Sequence, residues 1–153
     1  MPVDWAGARW STRVARDGVE RAMIEIRLRV AGYDIDAAAI VNNAVYVRWL
    51  EDLRTIWMTR FLSFEACVAR GISPVLTRIE IDYRRALRFG DPVVGRAWVT
   101  GLTRATATFE SEIAPPEGDG PYARALQTVA FVDIARNRPI RIPEEFLVPV
   151  PPA

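Results

Sequence analysis

The sequence contains no histidine, no lysine and a single cysteine, Cys67, in 153 residues. Each absence excludes a class of chemistry. Without His there is no Ser-His-Asp or Cys-His nucleophile, and no zinc site that needs imidazole. Without Lys there is neither a P-loop lysine nor a Schiff-base enzyme. One Cys can form no intrachain disulfide and no thiolate metal cluster. No G-x-G-x-x-G fingerprint occurs, and no cofactor or metal is expected. Neither sign of charge dominates: 20 basic residues, all Arg, face 19 acidic ones, for a net charge of +1. That balance gives no general argument for binding nucleic acid or an anionic membrane. No segment approaches the ~20 apolar residues that span a bilayer, and the N-terminus has no apolar core of signal-peptide length. A soluble, cytoplasmic protein is the expectation. Any acid-base or nucleophilic group must therefore come from Asp, Glu, Tyr, Ser, Thr, Arg, backbone amides, or Cys67 acting without a His. Carboxylate chemistry leads by elimination.

What is present suits one domain. Half the residues are hydrophobic, enough for a core in a chain of this length. Residues 1 to 20 lack clear periodicity and read as an extension or a short helix. Residues 22 to 32 alternate, with Ile24, Ile26, Leu28 and Val30 on one face, which predicts a half-buried strand. Residues 42 to 62, NNAVYVRWLEDLRTIWMTRFL, predict one long helix that Asn42 or Asn43 can cap. On a helical wheel Tyr46, Trp49, Leu50, Leu53, Trp57 and Phe61 share one side; Arg48, Glu51, Asp52, Thr55 and Thr59 share the other. Arg54 interrupts the apolar side. Its head either snorkels to the helix border or points into a site. A short helix over 64–70 ends at Gly71. Four extended segments follow: 74–86, with Val75, Thr77, Ile79, Ile81 and Tyr83 on one side, then 91–105, 106–114 and 122–135. The pair 91–105 and 106–114 reads as a hairpin, and 136–139 as a turn. One strand, a long helix and four strands with short connections predict an α+β fold: a mostly antiparallel sheet with the helix on one face.

The stretch Asp34-Ile35-Asp36-Ala37-Ala38-Ala39-Ile40-Val41-Asn42-Asn43-Ala44-Val45-Tyr46, continuing VRWLEDLRTIW, resembles the motif of hotdog-fold acyl-CoA thioesterases of the 4-hydroxybenzoyl-CoA thioesterase type. The pattern runs D-x-D-x-x-G-x-V-x-x-x-x-Y, then an aromatic-rich helix with E-x-x-R. The closing FVDIARNRPIRIPEEF is similar to the family's last strand and ending. The resemblance implies a hotdog domain over residues 22–148, between an extension at 1–21 and a tail at 149–153. A curved antiparallel sheet of about five strands would wrap one long central helix. It implies hydrolysis of an acyl-CoA or acyl-carrier-protein thioester by a homodimer or homotetramer, with sites where two chains pair edge to edge. Asp36 takes the place of the catalytic carboxylate, as nucleophile or general base. A backbone N–H near Asn43 takes the place of the oxyanion donor, and a helix N-terminus offers both free N–H groups and positive potential. Tyr46, Leu50, Arg54 and Trp57 would line the substrate pocket.

Each residue also has a plainer reading. Asp36 could cap a turn by an Asx hydrogen bond. Asp34 suits a structural turn or a salt bridge to an Arg. Glu51 is a rival carboxylate on the helix's polar side. Arg84, Arg85 and Arg88 form a basic cluster that could be merely solvated or could meet CoA phosphates. Where the family pattern has Gly, this chain has Ala39, and Gly there would permit a special backbone angle. Two other functions stay open: a non-catalytic acyl-CoA-binding hotdog protein, and a hotdog dehydratase, which the missing His disfavours.

Overall fold

A computed structural model describes residues 7–15, 18–118 and 120–147. Five long strands carry the fold: β2 (Glu20–Leu28), β3 (Ile72–Tyr83), β4 (Val93–Leu102), β5 (Thr106–Ala114) and β6 (Ala123–Asp133). Two more extend it, β1 (Arg9–Val14) and the two-residue β7 (Arg138–Pro139). Every pairing is antiparallel, in the order β1-β2-β4-β5-β6-β3, with β7 also on β6. Helix α1 (Asn43–Phe61) lies on one face of the sheet, and α2 (Phe64–Arg70) follows it. This is the hotdog arrangement.

The inner face of the sheet is set by strand alternation. On β2, Ala22, Ile24 and Ile26 are fully buried, as the alternating pattern predicts. Gly95 on β4 lets α1 come close. A Cβ there would lie 2.8 Å from Leu53 Cδ1 and 3.1 Å from Leu28 Cδ1. At the far end of α1 the ring of Trp57 stacks on Phe61, meets Phe109 edge-on and faces Phe146. Phe146 comes from a 3₁₀ turn at Glu144–Leu147, so the chain's last described residues close the core.

Two expectations from sequence are corrected. Residues 9–14 form neither a loose extension nor a helix but an edge strand, registered from Arg9 opposite Glu25 to Val14 opposite Glu20. Their exposure on both faces removes the periodicity that would announce a strand. Secondly, β3 does not keep one face from Val75 to Tyr83. Its register shifts between Leu76 and Arg78. The extra residue in that bulge exchanges the faces before it. Ile72, Leu76, Ile79 and Ile81 pack on the core, and Val75 is exposed.

Candidate active site

The stretch from Gly32 to Asn43 is folded by its own hydrogen bonds. A 3₁₀ turn at Gly32–Asp34 buries the Asp34 carboxylate, which accepts from Ala31 N–H at 2.8 Å and from the Arg48 guanidinium at 2.9 Å. Arg48 stands on the first turns of α1, so this ion pair ties the turn to the helix. Asp34 is structural, through both a turn and an arginine. Ile35 and Val41 then form an isolated antiparallel bridge, and Asn42 N–H donates to Asp34 O at 2.8 Å. Val41 N–H donates to Leu87 O, which braces the loop from behind.

Asp36 sits in the tight loop closed by that bridge. Its own N–H donates to Ile40 O, and its carbonyl accepts from Ala39 N–H. Its Oδ1 accepts from Ala38 N–H at 2.8 Å, the Asx hydrogen bond of the plainer reading. Among the described residues its Oδ2 has no partner, and the side chain is half-buried. Ala39 closes the loop at φ 59°, in the left-handed region. The position where the family pattern has Gly is thus a position where the backbone calls for one.

Helix α1 begins two residues beyond the bridge. Asn42 caps it: its Oδ1 accepts from Ala44 N–H at 2.9 Å, and its carbonyl accepts from Val45 N–H. Among the described residues the Asn43 N–H has no acceptor. One N–H of the first helical turn is therefore left open, beside the loop that carries Asp36. Tyr83 from β3 leans over this point. Its hydroxyl donates to Asn43 O at 3.1 Å, and its ring meets the buried Tyr46 ring edge-on at 5.1 Å. Burial, with Tyr83 and Tyr122 nearby, pushes the Tyr46 hydroxyl up to about 12. It stays protonated at neutral pH and can serve as a wall or a donor, not as a base.

The other predicted residues spread along the helix. Leu50 and Arg54 lie about 10 and 16 Å from Asn43 along the axis, and Trp57 about 21 Å. Arg54 does not snorkel to water. It is 7% exposed and donates inward to Gln127 Oε1 on β6, and to Glu51 on its own helix. Gln127 in turn donates to Leu50 O at 3.3 Å. Trp57 is core; its indole N–H donates to Ala22 O at 3.0 Å. Asp36, Asn43 and Tyr46 therefore gather at one end of α1, whereas Trp57 is at the other.

One residue at the site escapes sequence reasoning, and one perturbed carboxylate elsewhere on α1 does too. Tyr83 reaches the helix N-terminus only through the β3–β6 pairing, which no local pattern reveals. Asp52 falls on the polar side of the wheel, yet it is half-buried. Burial first, and then the neighbouring Glu51, raise its carboxyl above the ordinary value. Burial likewise raises the Cys67 thiol, which leaves it a weak nucleophile. Among the described residues no cluster of His, Cys, Asp or Glu could hold a metal ion.

A family model, the thioesterase-like superfamily, matches residues 30–150. The chain belongs to the thioesterase-like superfamily. This match includes the Asp36 loop, all of α1 and strands β3 to β6. Among its superfamily relatives is the long-chain acyl-CoA thioesterase FadM of Escherichia coli, 28% identical over 123 residues, 80% of this chain and 92% of that one. Another is a chloroplastic acyl-acyl carrier protein thioesterase of Arabidopsis thaliana, 26% identical over 120 residues; they are 78% of this chain but 63% of that longer protein. A thioesterase from Thermus thermophilus, solved with coenzyme A and zinc, superposes with a TM-score of 0.69 at 25% identity, over 80% of this chain and 87% of that one. The superfamily's activity is thioester hydrolysis, and no helix among the described residues is long and apolar enough to cross a membrane.

Proposed function

We propose that this chain hydrolyses an acyl-CoA or acyl-carrier-protein thioester in the cytoplasm, with Asp36 as the reacting carboxylate and the Asn43 N–H as the oxyanion donor. One observation carries the reading. The Ile35–Val41 bridge fixes a carboxylate-bearing loop that ends three residues before the N–H left open, among the described residues, in the first turn of α1. A thioester carbonyl oxygen at Asn43 N–H would gain stabilisation as negative charge develops on it, reinforced by the helix dipole.

The chemistry can run by two routes. Asp36 takes a proton from water as the water oxygen bonds to the carbonyl carbon. Alternatively, its carboxylate attacks that carbon directly and forms a mixed anhydride that water then opens. In both routes the C–S bond breaks, the thiolate leaves and is protonated, and a carboxylic acid and a free thiol result. Tyr46, Leu50 and Arg54 supply successive walls for the acyl group, and Trp57 marks the far limit of that path. Two chains pairing edge to edge would complete the pocket. β3 is an edge of the sheet and exposes Val75 and Tyr83.

The test is CoA release from a panel of acyl-CoA thioesters. Asp36→Asn should keep the fold, judged by circular dichroism and melting, and lower kcat by about 10²-fold or more. Full activity in the folded variant would remove the carboxylate from the mechanism. In a single turnover in H₂¹⁸O, ¹⁸O in the Asp36 carboxylate identifies an anhydride opened by water at the Asp36 carbon, a label that the general-base route does not produce. A second reading, a protein that binds acyl-CoA without cleaving it, draws on the Asp36 Asx bond and on the strained Ala39. Saturable binding with no free thiol would establish it.

A further inference from the structure

The face of the sheet opposite α1 carries a second site candidate. Arg96 on β4, Glu112 on β5 and Arg124 on β6 are direct register partners, Arg96 opposite Glu112 and Glu112 opposite Arg124. Strand alternation turns all three away from the helix, since Gly95, Ser111 and Ala125 beside them face inward. Arg13 from β1 joins them. Together with Ala114 and the loop after it, they line a cleft of about 380 Å³.

The arginines are arranged by their surroundings. Glu112 lies at the floor with its side chain 9% exposed; one oxygen is ion-paired with Arg124 at 3.0 Å, and Arg13 stands 3.6 Å from the other. The Arg13 guanidinium lies over the Trp98 ring, its Cζ 3.9 Å from the centroid. Arg96 is neutralised separately, by Glu25 at 2.7 Å, and Glu25 also takes Arg9. Burial pushes the Glu25 carboxyl up, but these two guanidinium groups outweigh it and hold it below the ordinary value. Among the described residues Glu112 alone therefore pairs with both Arg13 and Arg124, and Arg124 Nε is buried with no acceptor. The rim is held in place too: Arg96 donates to Pro116 O at 3.3 Å, and Arg85 donates to Gly120 O at 2.9 Å while lying over Tyr122.

We propose that this outer cleft binds a nucleotide through its phosphate. Planar guanidinium forks held in fixed orientations match phosphate oxygens in a way that a mobile surface arginine does not. The cleft is far larger than one phosphate group, so the ligand has an organic body that rests against the Pro115, Pro116 and Pro121 rim. Glu112 spaces the two forks apart, and both it and Glu117 of the rim oppose the anion, so their charge limits the affinity. The cleft is separate from the Asp36 loop, on the other face of the sheet.

Calorimetric titration of the full chain tests this with three probes: adenosine 3′,5′-bisphosphate, adenosine 5′-monophosphate and inorganic phosphate. Saturable binding of a nucleotide is expected, and which nucleotide binds tighter tells whether the head group of coenzyme A or another nucleotide is the natural source. Arg124→Gln and Arg13→Gln should each weaken binding about tenfold or more. Glu112→Gln should tighten it, an outcome that a purely structural salt-bridge network does not produce. CoA release from an acyl-CoA should keep its kcat in Arg13→Gln. No nucleotide binding at low-millimolar concentration overturns the proposal, as does binding that all three variants leave unchanged, or inorganic phosphate binding as tightly as both nucleotides.

Discussion

Ala39 is held at φ 59°, where the Cβ of an L-residue crowds its own backbone. That conformation costs about 1–2 kcal/mol for a non-glycine residue. Glycine relieves it but adds about 0.4–1 kcal/mol of unfolded-state entropy. Ala39→Gly should therefore stabilise the protein by about 0.5–1 kcal/mol, read as a shift in the urea midpoint at unchanged slope. If the loop geometry limits catalysis, kcat rises with it. At the same scale, the two aspartates differ in what surrounds them. Asp34 is buried against an amide and a guanidinium, and Asp36 keeps one oxygen without a protein partner among the described residues. Their spacing offers both residues but not this division; the division follows from Arg48, which approaches from a helix that starts nine residues later. Arg54 could be seen in the sequence as an intruder on an apolar face. Its partner Gln127 could not, because 73 residues separate them.

Among the elements, α1 is positioned by a glycine. Leu53 packs where a Cβ on Gly95 would stand, with both of its methyl groups within 3.2 Å of that point. Gly95→Ala should push α1 off β4 and cost about 1–3 kcal/mol, measured by chemical denaturation. Because the Asn43 N–H moves with α1, acyl-CoA turnover should fall further than stability alone explains. The helix itself was legible from sequence almost to the residue: predicted over 42–62, it runs Asn43–Phe61 under an Asn42 cap. Long amphipathic periodicity with a capping residue is a strong local signal. Strand β1 gave none, because an edge strand exposed on both faces carries no alternation. The bulge in β3 is equally silent, since an extra residue costs little locally and shows only against β6.

For the whole molecule, β3 ends the sheet among the described residues, with Val75 and Tyr83 exposed along its open edge. Open edges of this kind invite pairing with another strand. Light scattering after size exclusion should give two or four times the 17.2 kDa chain mass. Val75→Asp should shift that distribution toward monomer. It should also lower acyl-CoA turnover if the pocket is shared between chains, and a fully active monomer would place the whole site within one chain.

By itself the sequence determined the repertoire of chemistry and the main elements. A chain without His or Lys has few groups that can take a proton at neutral pH, and periodicities of two and near 3.6 mark strands and helix wherever one face is buried. Its D-x-D motif and aromatic helix also pointed to the superfamily. The tertiary structure decided which groups meet. It set Tyr83 over the helix N-terminus, turned Arg54 onto Gln127, joined residues 9–14 to the sheet, and aligned Arg96, Glu112 and Arg124 across three strands. These contacts come from strand pairing and register between distant segments. The energy that selects them is the burial of a shared core, which no local stretch of sequence contains.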